Sequence, residues 1–449
     1  MSTLQAPTTI AAIATPPGRG AVGIVRISGP LAPTIASRML GAVPAPRTAR
    51  WCEFLAGHGE TIDRGLALYF PAPNSYTGED VLELQAHGGK AVLRMLLQEA
   101  LAQGAEYARP GEFTERAFLN GKLDLLQAEA VAALIDAASD SAARAAARAC
   151  SGAFSSAVHD VSASLREARV LLEAGMDFGD EVADGIGPAT TALVQAQVAL
   201  QRLLRDAEAG ARLSGGLDVA IVGAPNSGKS TLLNALCGEE RAIVTPIAGT
   251  TRDVLTVDIG IAGLEFRLHD TAGLRETDDL IEQEGVRRAR LRLRDADIVL
   301  HVQVAGESEA LANTSNIGAL TPAQRLIVVR NKIDLTGDTA SREDTAVGVL
   351  VRLSALEGEG VSLLRETLWE LAGGSAVAEA PFTARARHVH VLRGVAGRVE
   401  AALAALASGA GELSCEELRQ ALGLLAEMTG EWTTEDMLGA VFSAFCIGK

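Results

Sequence analysis

The chain has 449 residues, 48% hydrophobic but only 4% aromatic, with 40 basic against 56 acidic side chains and a formal net charge of −16. That length implies two to four domains with an ample aliphatic core. The acidity excludes a molecule whose whole surface binds nucleic acid, so any RNA contact needs a local patch or a basic partner.

No apolar run approaches a membrane span. Five widely spaced cysteines without a C-x-x-C suit a reducing, cytoplasmic setting. Residues 8–14 are apolar but lack a basic start and run into Pro16-Pro17-Gly18, so they do not read as a signal peptide. Up to about residue 120, short apolar runs alternate with turns. Residues 22–27 and 66–70 read as strands and 91–101 as a helix, which predicts an α/β domain. From Leu123 to about Leu204 the periodicity is helical, through 128–135, 141–149 and 162–172, and the alanine richness favours that state. Residues 209–216 read as a hinge, and Gly373-Gly374-Ser375 begins a second linker. Beyond it come helices again: 385–406, one with Ser414 and Glu417 as a capping box, and one starting near Thr434.

Helices on both sides of the central segment predict one helical domain with another domain inserted into it. Insertion costs little where the insert's ends lie close together. The expected division is an N-terminal α/β domain over 1–121, a helical domain in two parts over 122–214 and 376–449, and the insert over 215–375.

Within the insert, residues 223–230 read Gly-Ala-Pro-Asn-Ser-Gly-Lys-Ser, a G-x-x-x-x-G-K-S phosphate loop. It follows the apolar run 219–222 and opens the amphipathic stretch 231–236, the strand–loop–helix context the motif needs. Its glycines let backbone N–H groups point at phosphate oxygens, and the helix N-terminus adds its positive dipole end. Lys229 is placed to reach the β- and γ-phosphates, and Ser230 to give its hydroxyl to Mg²⁺. In Gly249-Thr250-Thr251-Arg252-Asp253 a threonine hydroxyl can complete the Mg²⁺ shell when a γ-phosphate is present. Asp270-Thr271-Ala272-Gly273 ends the apolar run 266–269; Asp270 is placed to hold the Mg²⁺ shell and the Gly273 N–H to sense the γ-phosphate.

The apolar run 326–329 leads into Asn331-Lys332-Ile333-Asp334. A carboxylate at Asp334 can accept from the ring N–H and the exocyclic amine of guanine. Adenine lacks that amine, so an unpaired carboxylate penalises ATP. Ser354-Ala355-Leu356, after 349–353, fits a loop that closes over the base. Five elements in this order predict a Ras-like guanine-nucleotide switch that takes GTP and Mg²⁺.

In Ras-like switches a glutamine directly after D-x-x-G orients the attacking water. Here that position is Leu274, which has no polar group to offer. The acidic stretch 275–282 is the nearest supply, and the same residues also read as a solvated helix start. Cys446-Ile447-Gly448-Lys449 fits a prenylation box poorly, through its glycine and its lysine.

Beside the switch motifs, the chain carries Thr15-Pro16-Pro17-Gly18-Arg19-Gly20, Tyr76-Thr77-Gly78-Glu79-Asp80 and His87-Gly88-Gly89. It also carries Arg109-Pro110-Gly111-Glu112-Phe113-Thr114, Asn120-Gly121-Lys122-Leu123-Asp124 and Phe445-Cys446-Ile447-Gly448-Lys449. Through these motifs together the chain resembles, from end to end, the MnmE/TrmE family of tRNA-modification GTPases. The resemblance implies a cytoplasmic homodimer whose N-terminal domains bind 5-formyltetrahydrofolate. It also implies a complex with the FAD-dependent MnmG/GidA protein, with a heterotetramer expected. Together the partners would install a carboxymethylaminomethyl-type group on C5 of the wobble uridine of certain tRNAs.

The resemblance further implies potassium-activated, dimerisation-dependent GTP hydrolysis, with K⁺ where an arginine finger would neutralise developing charge. The matching ligands are the Asn226 side chain and oxygens of Thr245, Ile247 and Thr250, in the loop Thr245-Pro246-Ile247-Ala248-Gly249-Thr250, with Ser230 and Thr251 on Mg²⁺. Asn226 alone is weak evidence, because asparagine in such a loop is often only a turn former. The nucleotide contacts carry over to Asn226, Ser227, Gly228, Lys229, Ser230 and Thr231, to residues 245–251 and 270–273, and to Asn331, Lys332, Asp334, Ser354, Ala355 and Leu356. The water-positioning glutamate falls on Glu282.

The folate positions fall on Arg26, Glu83, Lys122 and Lys449. Cations suit glutamyl carboxylates and Glu83 can pair with pterin N–H donors. Read alone, Arg26 and Glu83 are also ordinary surface charge. Cys446 stays open between a structural thiol in an apolar segment and a catalytic thiol near the folate. Two departures from the family pattern are Leu356, where S-A-K is common, and Ala305-Gly306, where an Asp is frequent. A ribosome-assembly GTPase and a folate-dependent aminomethyltransferase with a GTPase appendage are the competing readings.

Overall fold

A computed structural model describes residues 8–177, 187–238, 256–270, 293–306, 320–321, 324–431, 435–443 and 445–448. Contacts divide the chain into one unit of Met1–Ala132 with Leu422–Lys449 and another of Ala133–Ala421.

In the first unit, period-two alternation builds strands that are apolar towards one side. Among the described residues β1 (Ile10–Ile13), β2 (Val22–Ser28), β3 (Arg50–Leu55), β4 (Thr61–Phe70), β5 (Val81–His87) and β6 (Glu106–Tyr107) form one sheet of order β3-β4-β5-β2-β1-β6. Helices α1 (Ala32–Leu40) and α2 (Lys90–Ala102) bury Ile35, Met39, Leu93 and Leu96 against Val25, Ile27, Leu82 and Leu84 of that sheet. Removing each such side chain from water contributes about 1.5–3 kcal/mol. Ile10 and Ala12, on the other side of β1, bury Phe113 of α3 (Glu112–Leu119).

Residues 435–448 complete this unit. Val441 and Phe442 of the helix Glu435–Ser443, with Phe445, pack on Leu125, Ala128 and Ala132 of α4 (Leu125–Asp136). Ile447 forms a bridge to Pro110. Gly448, at φ +100°, lies so near the Ile13 carbonyl and Ala14 that a Cβ would crowd both.

The second unit holds the other sheet. It comprises β7 (Leu217–Gly223), β8 (Thr256–Ile261), β9 (Leu264–Asp270), β10 (Ile298–Val304), β11 (Arg325–Asn331), β12 (Ser341–Thr345) and β13 (Gly348–Arg352). The order is β12-β13-β11-β10-β7-β9-β8 among the described residues. Five strands are mutually parallel, while β8 and β12 are antiparallel edges. Four of the parallel strands, β7, β10, β11 and β13, are Val/Ile/Leu-rich because both their faces are buried, whereas β9 alternates. Helices α8 (Lys229–Cys237) and α9 (Val361–Leu371) cover one face through Leu232, Leu236, Leu364 and Leu368. This is a doubly wound P-loop domain, and its ligand crevice lies outside the C-terminal ends of the parallel strands.

The remaining helices of this unit are α5 (Asp140–Cys150), α6 (Ala153–Asp177), α7 (Gly187–Gly215), α10 (Gly374–Ala378) and α11 (Ala386–Ala407); the helix Gly411–Thr429 runs across the division between the units. The Ser139 hydroxyl caps α5 by accepting from the Ala142 N–H at 3.2 Å. The Arg385 N–H donates to His388 Nδ1 at 3.0 Å, which closes the first turn of α11.

Two expectations are corrected. The hinge over 209–216 is mostly helix, because α7 runs unbroken to Gly215. Gly210 serves close packing, since a Cβ there would overlap the Phe382 carbonyl; only Gly216 turns the chain, at φ +68°. The capping box at Ser414 and Glu417 is absent. Its helix starts at Gly411, and the Ser414 N–H is already bonded to the Ala410 carbonyl at 3.1 Å. Among the described residues the buried Ser414 hydroxyl has no hydrogen-bond partner, and Glu417 pairs with Arg398 at 3.0 Å. Among the described residues no helix is long and apolar enough to cross a membrane.

Candidate nucleotide site

Strand β7 ends at Gly223 and α8 begins at Lys229, so the phosphate loop joins a central strand to a helix N-terminus. Gly228 sits at φ +94°, and a Cβ there would overlap Asn331 Nδ2 from the end of β11. Asn226 adopts φ +61°, a conformation that asparagine tolerates better than most residues.

Asn331, only 2% exposed, is the bracket of the site. Its Nδ2 donates to the Ser227 carbonyl at 3.0 Å, and its Oδ1 accepts from the N–H groups of Lys332 and Ala355, both at 2.9 Å. One side chain thus joins the phosphate loop to both base-side loops. Lys332 adds a second tie, with Nζ donating to the Asn226 carbonyl at 2.8 Å. Asp334 is exposed, and the buried Ser354 hydroxyl donates to its Oδ1 at 2.6 Å. Leu356 is 75% exposed.

Lys229 Nζ donates to the carbonyls of Gly223 and Ala224 at 3.0 and 2.9 Å. Ser230 and Thr231 are exposed at the start of α8, whereas Ser227 is buried, its Oγ without a hydrogen-bond partner among the described residues. Burial pushes the Cys237 thiol up at the far end of α8, which keeps it protonated. Burial also pushes His301 of β10 below the ordinary imidazole value, so it stays neutral.

Pairing of β9 with β7 sets the Asp270 backbone opposite Ile221, two residues before the phosphate loop. The Asp270 side chain lies outside the described residues, as do Thr271, Ala272, Gly273, Thr245, Pro246, Ile247, Ala248, Gly249, Thr250, Thr251, Glu282 and Lys449. No cluster of three or more His, Cys, Asp or Glu that could hold a metal occurs among the described residues.

A second polar site occupies the first unit. Arg26 of β2 and Glu83 of β5 are register partners, and Arg26 Nε donates to Glu83 Oε1 at 2.9 Å. The guanidinium carbon lies 5.7 Å from the ring centroids of both Tyr76 and Phe113, and Nη1 donates to the Gly448 carbonyl at 3.5 Å. This is a half-buried, ring-flanked ion pair, so the plain surface-charge reading fails. Lys122 is exposed, and its Nζ donates to the Pro73 carbonyl at 3.1 Å.

Residues 75–80 are fastened from several sides. Ser28 Oγ bonds Thr77 Oγ1 at 2.8 Å and donates to Glu79 Oε2 at 2.6 Å, while Arg116 bridges Glu79 and Glu112. The Tyr76 hydroxyl meets Thr114 Oγ1 at 2.9 Å. Burial and the neighbouring Asp80 push the Tyr69 phenol up to about 12, so it remains the donor to Asp80. Tyr76, Phe113 and Arg116 are the residues that sequence reasoning missed. The first two stand in the motifs that carry the family resemblance, but no spacing reveals that they flank Arg26. Cys446 is exposed, and its carbonyl accepts from the Gly111 N–H at 3.4 Å.

Residues 9–122 match the family model of the GTP-binding protein TrmE N-terminus, and residues 125–446 match that of the MnmE helical domain. The second match spans both sides of the P-loop sheet. The chain is 48% identical to the tRNA modification GTPase MnmE of Nitrosococcus oceani, covering 98% of this chain and 97% of that one. It is 50% identical to the tRNA modification GTPase MnmE of Pseudomonas paraeruginosa, covering 99% and 100%. Over 34% of its length it is also similar to a crystal structure of Aquifex aeolicus Era, at 30% identity, 56% coverage of that chain and a TM-score of 0.27. A chain with this phosphate loop, two matching family models and such identity over nearly its whole length belongs to the MnmE family of tRNA modification GTPases.

Proposed function

We propose that this GTP hydrolase of tRNA modification is potassium-activated. It acts as a homodimer with an FAD-dependent MnmG/GidA-type partner on C5 of the wobble uridine. The observation that carries the reading is the Asn331 bracket, which unites a phosphate loop with a carboxylate placed for guanine. Lys229 steadies the β- and γ-phosphates, Asp334 reads the base, and Glu282 orients water. Ser230 and Thr251 would hold Mg²⁺, which when bound supplies positive charge to the phosphates. The Asn226 side chain, exposed on the phosphate loop, suits a K⁺ ligand alongside Thr245, Ile247 and Thr250.

Arg26, Glu83, Lys122 and Lys449 would hold a 5-formyltetrahydrofolate. The Arg26–Glu83 pair, with two aromatic rings near its guanidinium, fits a flat ligand that presents both N–H donors and carboxylates. Cys446, exposed and two residues before the Gly448 whose carbonyl meets Arg26, is a candidate thiol for the one-carbon chemistry. A cytoplasmic location fits the five free cysteines.

Mass spectrometry of tRNA nucleosides from a strain lacking this gene tests the reading. Loss of carboxymethylaminomethyl-type uridines is expected, and an unaltered nucleoside profile would favour the ribosome-assembly alternative. Cation dependence is the second test. Hydrolysis should be much faster in KCl than in NaCl of equal ionic strength, and Asn226→Ala should flatten the difference while leaving GDP binding nearly intact. Equal wild-type rates in the two salts would remove the potassium site.

A further inference from the structure

His269 stands one residue before Asp270 and is 1% exposed. Its Nε2 lies 2.6 Å from Asp218 Oδ1 on β7, and its Nδ1 lies 3.3 Å from Thr256 Oγ1 on β8. A carboxylate oxygen only accepts, so Nε2–H donates to Asp218, and Nδ1 shares a hydrogen bond with the Thr256 hydroxyl. One buried ring thus links three adjacent strands.

The positions of those links are what matter. Thr256 is the first residue of β8, where the segment bearing Thr250 and Thr251 rejoins the sheet. Asp270 is the last residue of β9, where Asp270-Thr271-Ala272-Gly273 leaves it. We propose that His269 is a positioning residue for GTP hydrolysis, holding in register the two strand ends from which both γ-phosphate-sensing segments depart. Successive side chains alternate across a strand, so fixing the imidazole on one face fixes the peptide that presents Asp270 on the other.

The same face carries Arg267, 3.6 Å from the same Asp218 oxygen and 3.4 Å from Asp258. The opposite face of these strands is apolar, with Ile259, Phe266 and Leu268 in the core. Packing alone would accept a leucine at 269. The imidazole contributes direction, through two hydrogen bonds to two different strands.

The inference rests on Asp270 and residues 250–251 serving the nucleotide, so Asp270→Ala is measured beside it. His269→Leu should lower kcat about 10-fold, in keeping with the cost of a small misplacement of reacting groups, while GDP affinity stays within about threefold. His269→Gln, which retains a donor and an acceptor, should recover most of the rate at a similar melting temperature. Should His269→Leu fail to fold, Thr256→Val removes one of the two links at an exposed residue, and it should still lower kcat with unchanged GDP binding. Wild-type kcat in His269→Leu or Thr256→Val would overturn the inference. So would a loss that follows melting temperature and is not relieved by glutamine. An unaffected Asp270→Ala would overturn the D-x-x-G assignment as well, whereas an impaired Asp270→Ala beside an unimpaired His269→Leu removes the His269 role alone.

Discussion

Asp334→Asn is expected to lower GDP affinity by roughly 10²-fold or more and to transfer preference to xanthosine nucleotides. A site built around a specific hydrogen bond rejects the ligand that cannot make it far more strongly than an apolar pocket rejects a misfit. In the wild type Ser354 holds one carboxylate oxygen, at 2.6 Å, so the other is set for the guanine amine. An asparagine keeps an oxygen for Ser354 and turns a donor towards the base. Guanine then meets donor against donor, whereas xanthine, with an acceptor there, regains a bond. Competition of GDP, XDP and ADP against a fluorescent nucleotide reads this directly. Unchanged guanine preference would remove Asp334 from the base-reading role, and ADP should not compete in either protein.

Glu282→Ala should lower kcat by roughly 10²-fold, the scale of a positioned general base or water-orienting group. GTP affinity should barely change, because the interaction belongs to the transition state. Leu274 occupies the place of the usual glutamine and cannot hold water. Alanine at Glu276, Asp278 or Asp279 should cost little if those acids only face solvent. Equal single-turnover rates for wild type and Glu282→Ala at saturating K⁺ would leave another group to position the water.

Much of the nucleotide site was legible because its chemistry is local. The strand Leu217–Gly223, the loop after it and the helix Lys229–Cys237 follow from apolar periodicity and glycine placement alone. The Asn331 bracket was not legible. Two of its three bonds reach segments 24 and 104 residues away, so only the folded sheet reveals that the asparagine serves the loops around it. Arg26 had the same fate: its partner Glu83 is 57 residues away, and its flanking rings come from two further segments. The Ser414 capping box misled because serine followed three residues later by glutamate fits a helix start and a helix interior equally well. The glycines at 209–216 misled because glycine marks close approach as readily as a bend. Only Gly210 against the Phe382 carbonyl decides between them.

The first unit is assembled from two stretches of chain, and this has a consequence for synthesis. Roughly 290 residues separate Ala132 from Leu422, so at about 5–20 residues per second the ribosome needs roughly 15–60 s to deliver the second stretch. During that interval Leu125, Ala128 and Ala132 lack Val441, Phe442 and Phe445, and Arg26 lacks the Gly448 carbonyl. The unit of Ala133–Ala421 is one continuous stretch, finished apart from the helix Gly411–Thr429 once Ala421 is made. Native structure is therefore completed in the reverse of genetic order, with the nucleotide domain able to mature while the domain translated first waits with its apolar groups uncovered. Until residues 441–448 arrive, that waiting surface is open to misassociation, the hazard that chaperones limit.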